Sequence, residues 1–120
     1  MAKGKYVDGF VIPIPKKNTG KYLKMAREGC RTWKRFGALD YKECIIDDAK
    51  PPYFKTTFSK MAKSKAGELV WFSFIVFKSR AHRDSVNKKV MAYFSKKDGP
   101  KDMPFEMDRL AYGGFKVMIQ

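Results

Sequence analysis

The chain has 120 residues, 44% of them apolar, which is material for one core and a single domain spanning 1–120. Its 26 Lys and Arg against 12 Asp and Glu give a formal net charge of +14, which favours polyanions by long-range attraction and says little about fold. No apolar run approaches membrane-spanning length and the opening residues lack a signal-peptide core, so the expectation is a soluble, cytoplasmic protein with no membrane association.

Lys5 to Ile14 reads as a strand closed by Pro13 and Pro15, with Tyr6, Asp8, Phe10 and Ile12 on one face and Val7, Gly9 and Val11 on the other. Asn18 or Thr19 can cap a helix running to about Phe36. Tyr22, Ala26, Gly29, Trp33 and Phe36 form its inner stripe, and Gly37 supplies a left-handed stop. Its outer face carries Lys21, Lys24, Arg27, Arg31, Lys34 and Arg35.

Leu39 to Asp47 is the next strand, alternating Tyr41, Glu43 and Ile45 against Lys42, Cys44 and Ile46. The link from Asp48 to Glu68 is long for a compact domain, and Phe54 to Met61 reads as an extra strand turning through Ser64-Lys-Ala-Gly67. Leu69 to Phe77 is the main strand and is apolar on both faces: Leu69, Trp71, Ser73, Ile75 and Phe77 on one, Val70, Phe72, Phe74 and Val76 on the other.

Ser79 offers an N-cap for a second helix to about Phe94, with Ala81, Val86, Val90, Tyr93 and Phe94 inward and Arg80, Arg83, Asn87 and Lys88 outward. Ser95-Lys-Lys-Asp-Gly-Pro100 ends it by turn chemistry. After the Met103-Pro104 connection, Met107 to Ile119 is the last strand, in which Gly113-Gly114 marks a bulge or a close backbone approach.

This order is two split βαβ halves: an α+β, ferredoxin-like βαββαβ antiparallel sheet with two helices on one face. Two helices cover one face only. The other, still apolar, is expected to pack against a second copy, so that two subunits close a dimeric α/β barrel.

Tyr6-Val-Asp-Gly-Phe10, Phe36-Gly-Ala-Leu39, Val70-Trp-Phe-Ser-Phe74, Ser79-Arg-Ala-His-Arg83 and Met103-Pro-Phe-Glu-Met-Asp-Arg-Leu-Ala-Tyr-Gly-Gly-Phe115 together resemble a bacterial family of unknown function, the YbaA-like family of DUF1428 type. The resemblance covers nearly the whole chain. It implies the dimeric α/β-barrel superfamily, whose members range from cofactor-independent monooxygenases to binding proteins, and so raises the prospect of a barrel pocket without choosing a reaction.

The residues that could carry chemistry are few. Asp8 interrupts an apolar strand and reads either as a general base or ligand anchor, or, the preferred reading, as the structural partner of a cation such as Arg109 or of a backbone group near the bulge. Glu43 has similar standing, with exposure at a sheet edge as its plainer explanation. His82, the one histidine, enters the second helix where the dipole favours its neutral form, and reads as a surface or helix-entry residue.

Tyr6, Trp71, Tyr112 and Phe115 can line an aromatic cavity with Gly113 and Gly114 leaving space; core packing accounts for the same rings. The expected ligand pocket is thus Tyr6, Asp8, Glu43, Trp71 and Tyr112. Cys30 and Cys44 have no metal-ligand spacing and read as buried, reduced, structural thiols, and no metal, cofactor or catalytic residue is assigned.

RNA-recognition domains share this element order, and Phe72-Ser-Phe-Ile-Val-Phe77 is similar to part of their base-stacking motif, but Val70 and Trp71 replace its basic residue and glycine. The expectation is therefore a homodimer of unknown molecular function that binds a small molecule. The alternative is RNA association through the basic helix face, Lys21, Lys24, Arg27, Arg31, Lys34 and Arg35.

Overall fold

The computed structural model describes residues 5–97 and 102–120. Strand β1 (Tyr6–Pro15) leads through a 3-10 turn at Lys16–Asn18 into helix α1 (Thr19–Arg35), followed by β2 (Asp40–Ile45), a short helix α2 (Phe58–Met61), β3 (Glu68–Phe77), α3 (Arg80–Ser95), a 3-10 turn at Met107–Arg109 and β4 (Ala111–Lys116). The four strands form one sheet in the order β2-β3-β1-β4, every neighbouring pair antiparallel. This is an α+β fold.

The register fixes two faces. Tyr6, Asp8, Phe10 and Ile12 of β1 lie beside Phe77, Ile75, Ser73 and Trp71 of β3, which in turn meet Tyr41, Glu43 and Ile45 of β2. Helices α1 and α3 both cover this face. The core beneath them is divided into two clusters: Ile12, Ile14, Tyr22, Ala26 and Trp71 at one end, Ala38, Ile75, Phe77, Val86 and Val90 at the other.

The opposite face carries Val7, Val11, Val70, Phe72, Phe74, Val76 and Phe115, and Phe72 and Phe115 are 43% and 61% exposed. The 48–67 link reaches it, where the Phe58 ring lies 6.3 Å from that of Phe72.

Local chemistry explains the boundaries. Gly37 has φ +120°, the left-handed stop that ends α1, and a Cβ there would press on His82 Nε2 at 3.3 Å. Ser79 caps α3 by accepting from the His82 backbone N–H at 3.1 Å. Strand β1 runs through Pro13 and Pro15 because β4 pairs no further than Val11 opposite Ala111, leaving that half of β1 an edge on which proline is tolerated.

Three expectations are corrected. Phe54 to Met61 contains no strand; the Thr57 hydroxyl accepts from the Lys60 N–H at 3.2 Å and caps α2. The last strand begins at Ala111, because the segment before it is coiled into the Met107–Arg109 turn, where Arg109 forms a bidentate pair with Glu68 at 2.7 and 2.9 Å. Gly113 and Gly114 sit in regular pairing opposite Gly9 and Asp8, with no bulge. The close approach is nevertheless real: a Cβ on Gly114 would collide with the Tyr6 hydroxyl and with Arg83 Nη1. Of the turn expected after α3, Asp98, Gly99 and Pro100 lie outside the described residues.

Candidate functional site

Between the two core clusters the helices and the sheet do not close on each other. A cavity of about 570 Å3 remains, floored by Phe10, Ile12, Tyr41, Glu43, Ser73, Ile75 and Tyr112. Helix α1 contributes Tyr22, Ala26 and Trp33 to its walls, α3 contributes Asn87, Met91 and Phe94, and the segment before β4 adds Met103, Phe105, Met107 and Leu110. The volume is that of an ordinary small-molecule site, mostly apolar with a few converging polar groups.

Glu43 is the polar centre of the floor. Its Oε1 accepts from the Tyr22 phenol and its Oε2 from the Tyr41 phenol, both at 2.7 Å. Burial, reinforced by the Glu43 charge, pushes both phenols well above the ordinary tyrosine range, so they stay protonated and donating. Gly29 makes room for this arrangement, since a Cβ there would come within 2.9 Å of the Tyr41 hydroxyl. Among the described residues no Lys, Arg or His lies in ion-pair range of Glu43.

A second polar group stands behind the opposite wall. Asp8 is 1% exposed and accepts from Arg83 Nη1 at 2.7 Å, from the Tyr112 phenol at 3.0 Å and from Asn87 Nδ2 at 3.3 Å. Arg83 also donates to the Tyr112 oxygen at 2.5 Å and to Asp84 at 2.7 Å, and its guanidinium lies 4.9 Å from the Tyr6 ring centre. Burial works against the Arg83 charge, but Asp84 and Asp8 outweigh it. Burial and then Asp8 raise Tyr112 to about 12. Asn87 is fixed at both ends, because its Oδ1 accepts from the Trp33 indole N–H at 2.9 Å. A line of hydrogen bonds and ring contacts thus runs round the cavity from Asp8 through Asn87, Trp33 and Tyr41 to Glu43, with the Trp33 and Tyr41 ring centres 6.1 Å apart.

A family model described as a protein of unknown function (DUF1428) matches residues 5–107. The chain belongs to that family. Two relatives, each named uncharacterized protein YbaA, from Escherichia coli strain K12 and from Shigella flexneri, are 38% identical over 115 residues, covering 96% of this chain and 97% of theirs. A solved de novo designed protein, Foldit4, is similar over 97% of this chain and 99% of its own at 9% identity and a TM-score of 0.43, too loose a likeness to carry an argument.

Within this DUF1428 chain, Tyr6, Asp8, Glu43, Trp71 and Tyr112 all lie on the helix-covered face. Glu43 and Tyr112 reach the cavity; Asp8 and Tyr6 are held behind it by Arg83, and Trp71 is packed edge-on against Tyr22 with ring centres 4.9 Å apart. The indole N–H of Trp71 is buried with no partner among the described residues. Phe115 does not join them, since its position on β4 points to the open face, and the space beside Gly114 is filled by Tyr6 and Arg83.

Arg83 and Asn87, expected on the outer face of the second helix, point inward, while Ala81 is exposed. The cation of Asp8 is therefore Arg83; Arg109 belongs to Glu68. The signal was present, because positions 83, 86, 87, 90 and 94 form one helical stripe and a buried aspartate requires a cation opposite it.

His82 is structural: its Nδ1 accepts from the Lys78 N–H at 3.0 Å, and burial, with the charges of Lys78 and Lys89, lowers its pKa and keeps it neutral. Cys30 and Cys44 are unpaired, and Cys44 is exposed rather than buried because its position on β2 faces the open side. Among the described residues no group of three His, Cys, Asp or Glu could hold a metal, and no helix is long and apolar enough to cross a membrane.

The basic residues of α1 are exposed apart from local contacts, Lys21 on Asp102 at 2.6 Å and Arg35 over the Phe36 and Tyr93 rings. They lie on the helical side of the sheet, whereas Phe72 and Phe74 lie on the other side, where Lys42 is spent on Asp40 at 3.3 Å. The basic residues of α1 and the rings of Phe72 and Phe74 thus face opposite ways and do not form one nucleic-acid surface. No finding supports the RNA alternative.

Proposed function

We propose that this DUF1428 chain is a cytoplasmic, small-molecule-binding homodimer, with one ligand site per subunit in the cavity between its sheet and its helices. The observation that carries this reading is the cavity of about 570 Å3 with the phenol-clamped Glu43 on its floor. A core of this size ordinarily packs shut, so a cavity this large implies a space kept for a guest. The methionines at the rim, Met25, Met91, Met103 and Met107, are flexible side chains suited to closing over one. Unlike the barrel pocket expected from the sequence, this site lies on the helical side of the sheet, away from the face on which a second subunit would pack.

The ferredoxin-like arrangement and the open apolar face support the pairing of two sheets across a twofold axis, and two unpaired thiols fit a reducing compartment. A neutral, environment-sensitive dye of the naphthalene type tests the cavity. Its fluorescence should rise on binding, fall sharply in Met91→Trp combined with Ala26→Leu, and persist in Phe72→Glu on the open face. Loss in Phe72→Glu alone would place the dye on the sheet surface and reject the cavity.

A further inference from the structure

We infer that the ligand taken by this cavity is a hydrophobic organic cation, an amine or ammonium group carried on a flat or aliphatic body and seated against Glu43. The inference rests on the cavity being the ligand site and adds the charge of what enters it.

Among the described residues the cavity wall holds two carboxylates, Glu28 and Glu43, and one cation, Lys97. Glu28 stands with Lys97 at 3.3 Å, and Asp8, behind the wall, is matched by Arg83 at 2.7 Å. Glu43 alone has neutral partners. In a chain with 26 Lys and Arg, the one wall carboxylate without a cation among the described residues is the one on the cavity floor.

Two phenols use one acceptor position on each oxygen, and a carboxylate offers about four lone-pair sites, so acceptor capacity remains for a guest. Carboxylate oxygens whose partners are neutral donors favour a cation beside them and disfavour an anion.

The walls agree with the floor. Phe10, Tyr22, Trp33, Tyr41, Phe94 and Tyr112 surround the space with aromatic rings whose faces attract cations. Because Tyr22 and Tyr41 hold their protons well above the ordinary range, they supply no competing charge of their own. Aromatic rings beside a carboxylate are the chemistry by which organic ammonium groups are recognised in general.

The test is a matched series of 1-naphthylmethylamine, 1-naphthalenemethanol, 1-naphthoate and trimethyl(1-naphthylmethyl)ammonium, titrated calorimetrically into the full-length protein at neutral pH. The amine and the ammonium compound should bind at least about tenfold more tightly than the alcohol, the size expected of a desolvated cation on aromatic faces and a carboxylate, and the naphthoate should not bind. Glu43→Gln should bring amine and alcohol to within about twofold of each other, since the amide keeps a hydrogen-bonding group at that position and removes the charge. Near-ultraviolet circular dichroism confirms that the variant keeps its fold.

Equal binding of amine and alcohol by the native protein would overturn the cationic ligand while leaving a cavity that accepts neutral guests. Preference for the naphthoate, or amine binding that survives Glu43→Gln and disappears in Phe72→Glu, would overturn it as well. Failure of all four compounds, the alcohol included, would remove both the cation and the cavity reading.

Discussion

At the scale of single residues, Asp8 and Glu43 show how similar side chains acquire different duties from their surroundings. Asp8 faces Arg83, Tyr112 and Asn87 and is fully committed; Glu43 faces two phenols and keeps acceptor capacity. Replacing Asp8 leaves the Arg83 guanidinium, itself only 12% exposed, without its buried partner. Asp8→Ala should therefore lower unfolding free energy by about 3–5 kcal/mol in urea titrations, and Asp8→Ala with Arg83→Met should recover part of that loss. A single variant with native stability would show that the ion pair is not structural.

Both acids were visible in the sequence as charges on alternating faces of apolar strands. Their partners were not, because Arg83 and Asn87 were assigned to solvent by residue type, and the Tyr22 to Glu43 bond joins residues 21 apart that only the helix-on-sheet packing brings together.

At the scale of elements, the helices and long strands were legible because periodicity and end signals agree: the Ser79 cap, the Gly37 stop and the two-sided apolar run of β3 each have a local cause. The 54–61 and 107–110 segments were misread because β-prone residues there are overruled by a Thr57 cap in one and by the Arg109 and Glu68 pair in the other.

That pair anchors the turn before β4 to the start of β3. Hydrogen bonds from Arg109, which outweigh burial, hold the Glu68 carboxyl at about 2, below its ordinary 4.5. A depressed carboxylate gives stability that is complete above the unfolded value and lost as pH falls through the folded one, so this contribution fades between about pH 4.5 and 2. Urea midpoints measured across that interval should fall less steeply in Glu68→Gln than in the native protein. Parallel curves would show that the pair contributes nothing to acid stability.

At the scale of the whole molecule, the sheet divides the protein into a side with two helices and a side that the 48–67 link covers in part. Phe58, Phe72 and Phe115 on the latter are 52%, 43% and 61% exposed, an apolar patch of the kind that marks association surfaces. Light scattering at micromolar concentration should give the mass of a dimer, twice 13.9 kDa, and Phe72→Glu should give a monomer or an aggregate. A native protein that remains monomeric at that concentration would refute the pairing of sheets. The two-sided apolarity of β3 already points to this surface in the sequence, whereas of the cavity only Glu43 and Tyr112 were legible there, since the space itself arises from a gap between two core clusters that are each ordinary.

Strand β3 carries both surfaces on alternate residues, Ser73 and Ile75 toward the cavity and Phe72 and Phe74 toward the open side. Its length is therefore frozen. Adding or deleting one residue near its middle would turn the remainder of the strand over, driving phenylalanine rings into the guest space and the cavity-lining residues out onto the exposed face. Natural variation in chain length should accordingly gather in the 48–67 link and spare this strand, whatever the guest turns out to be.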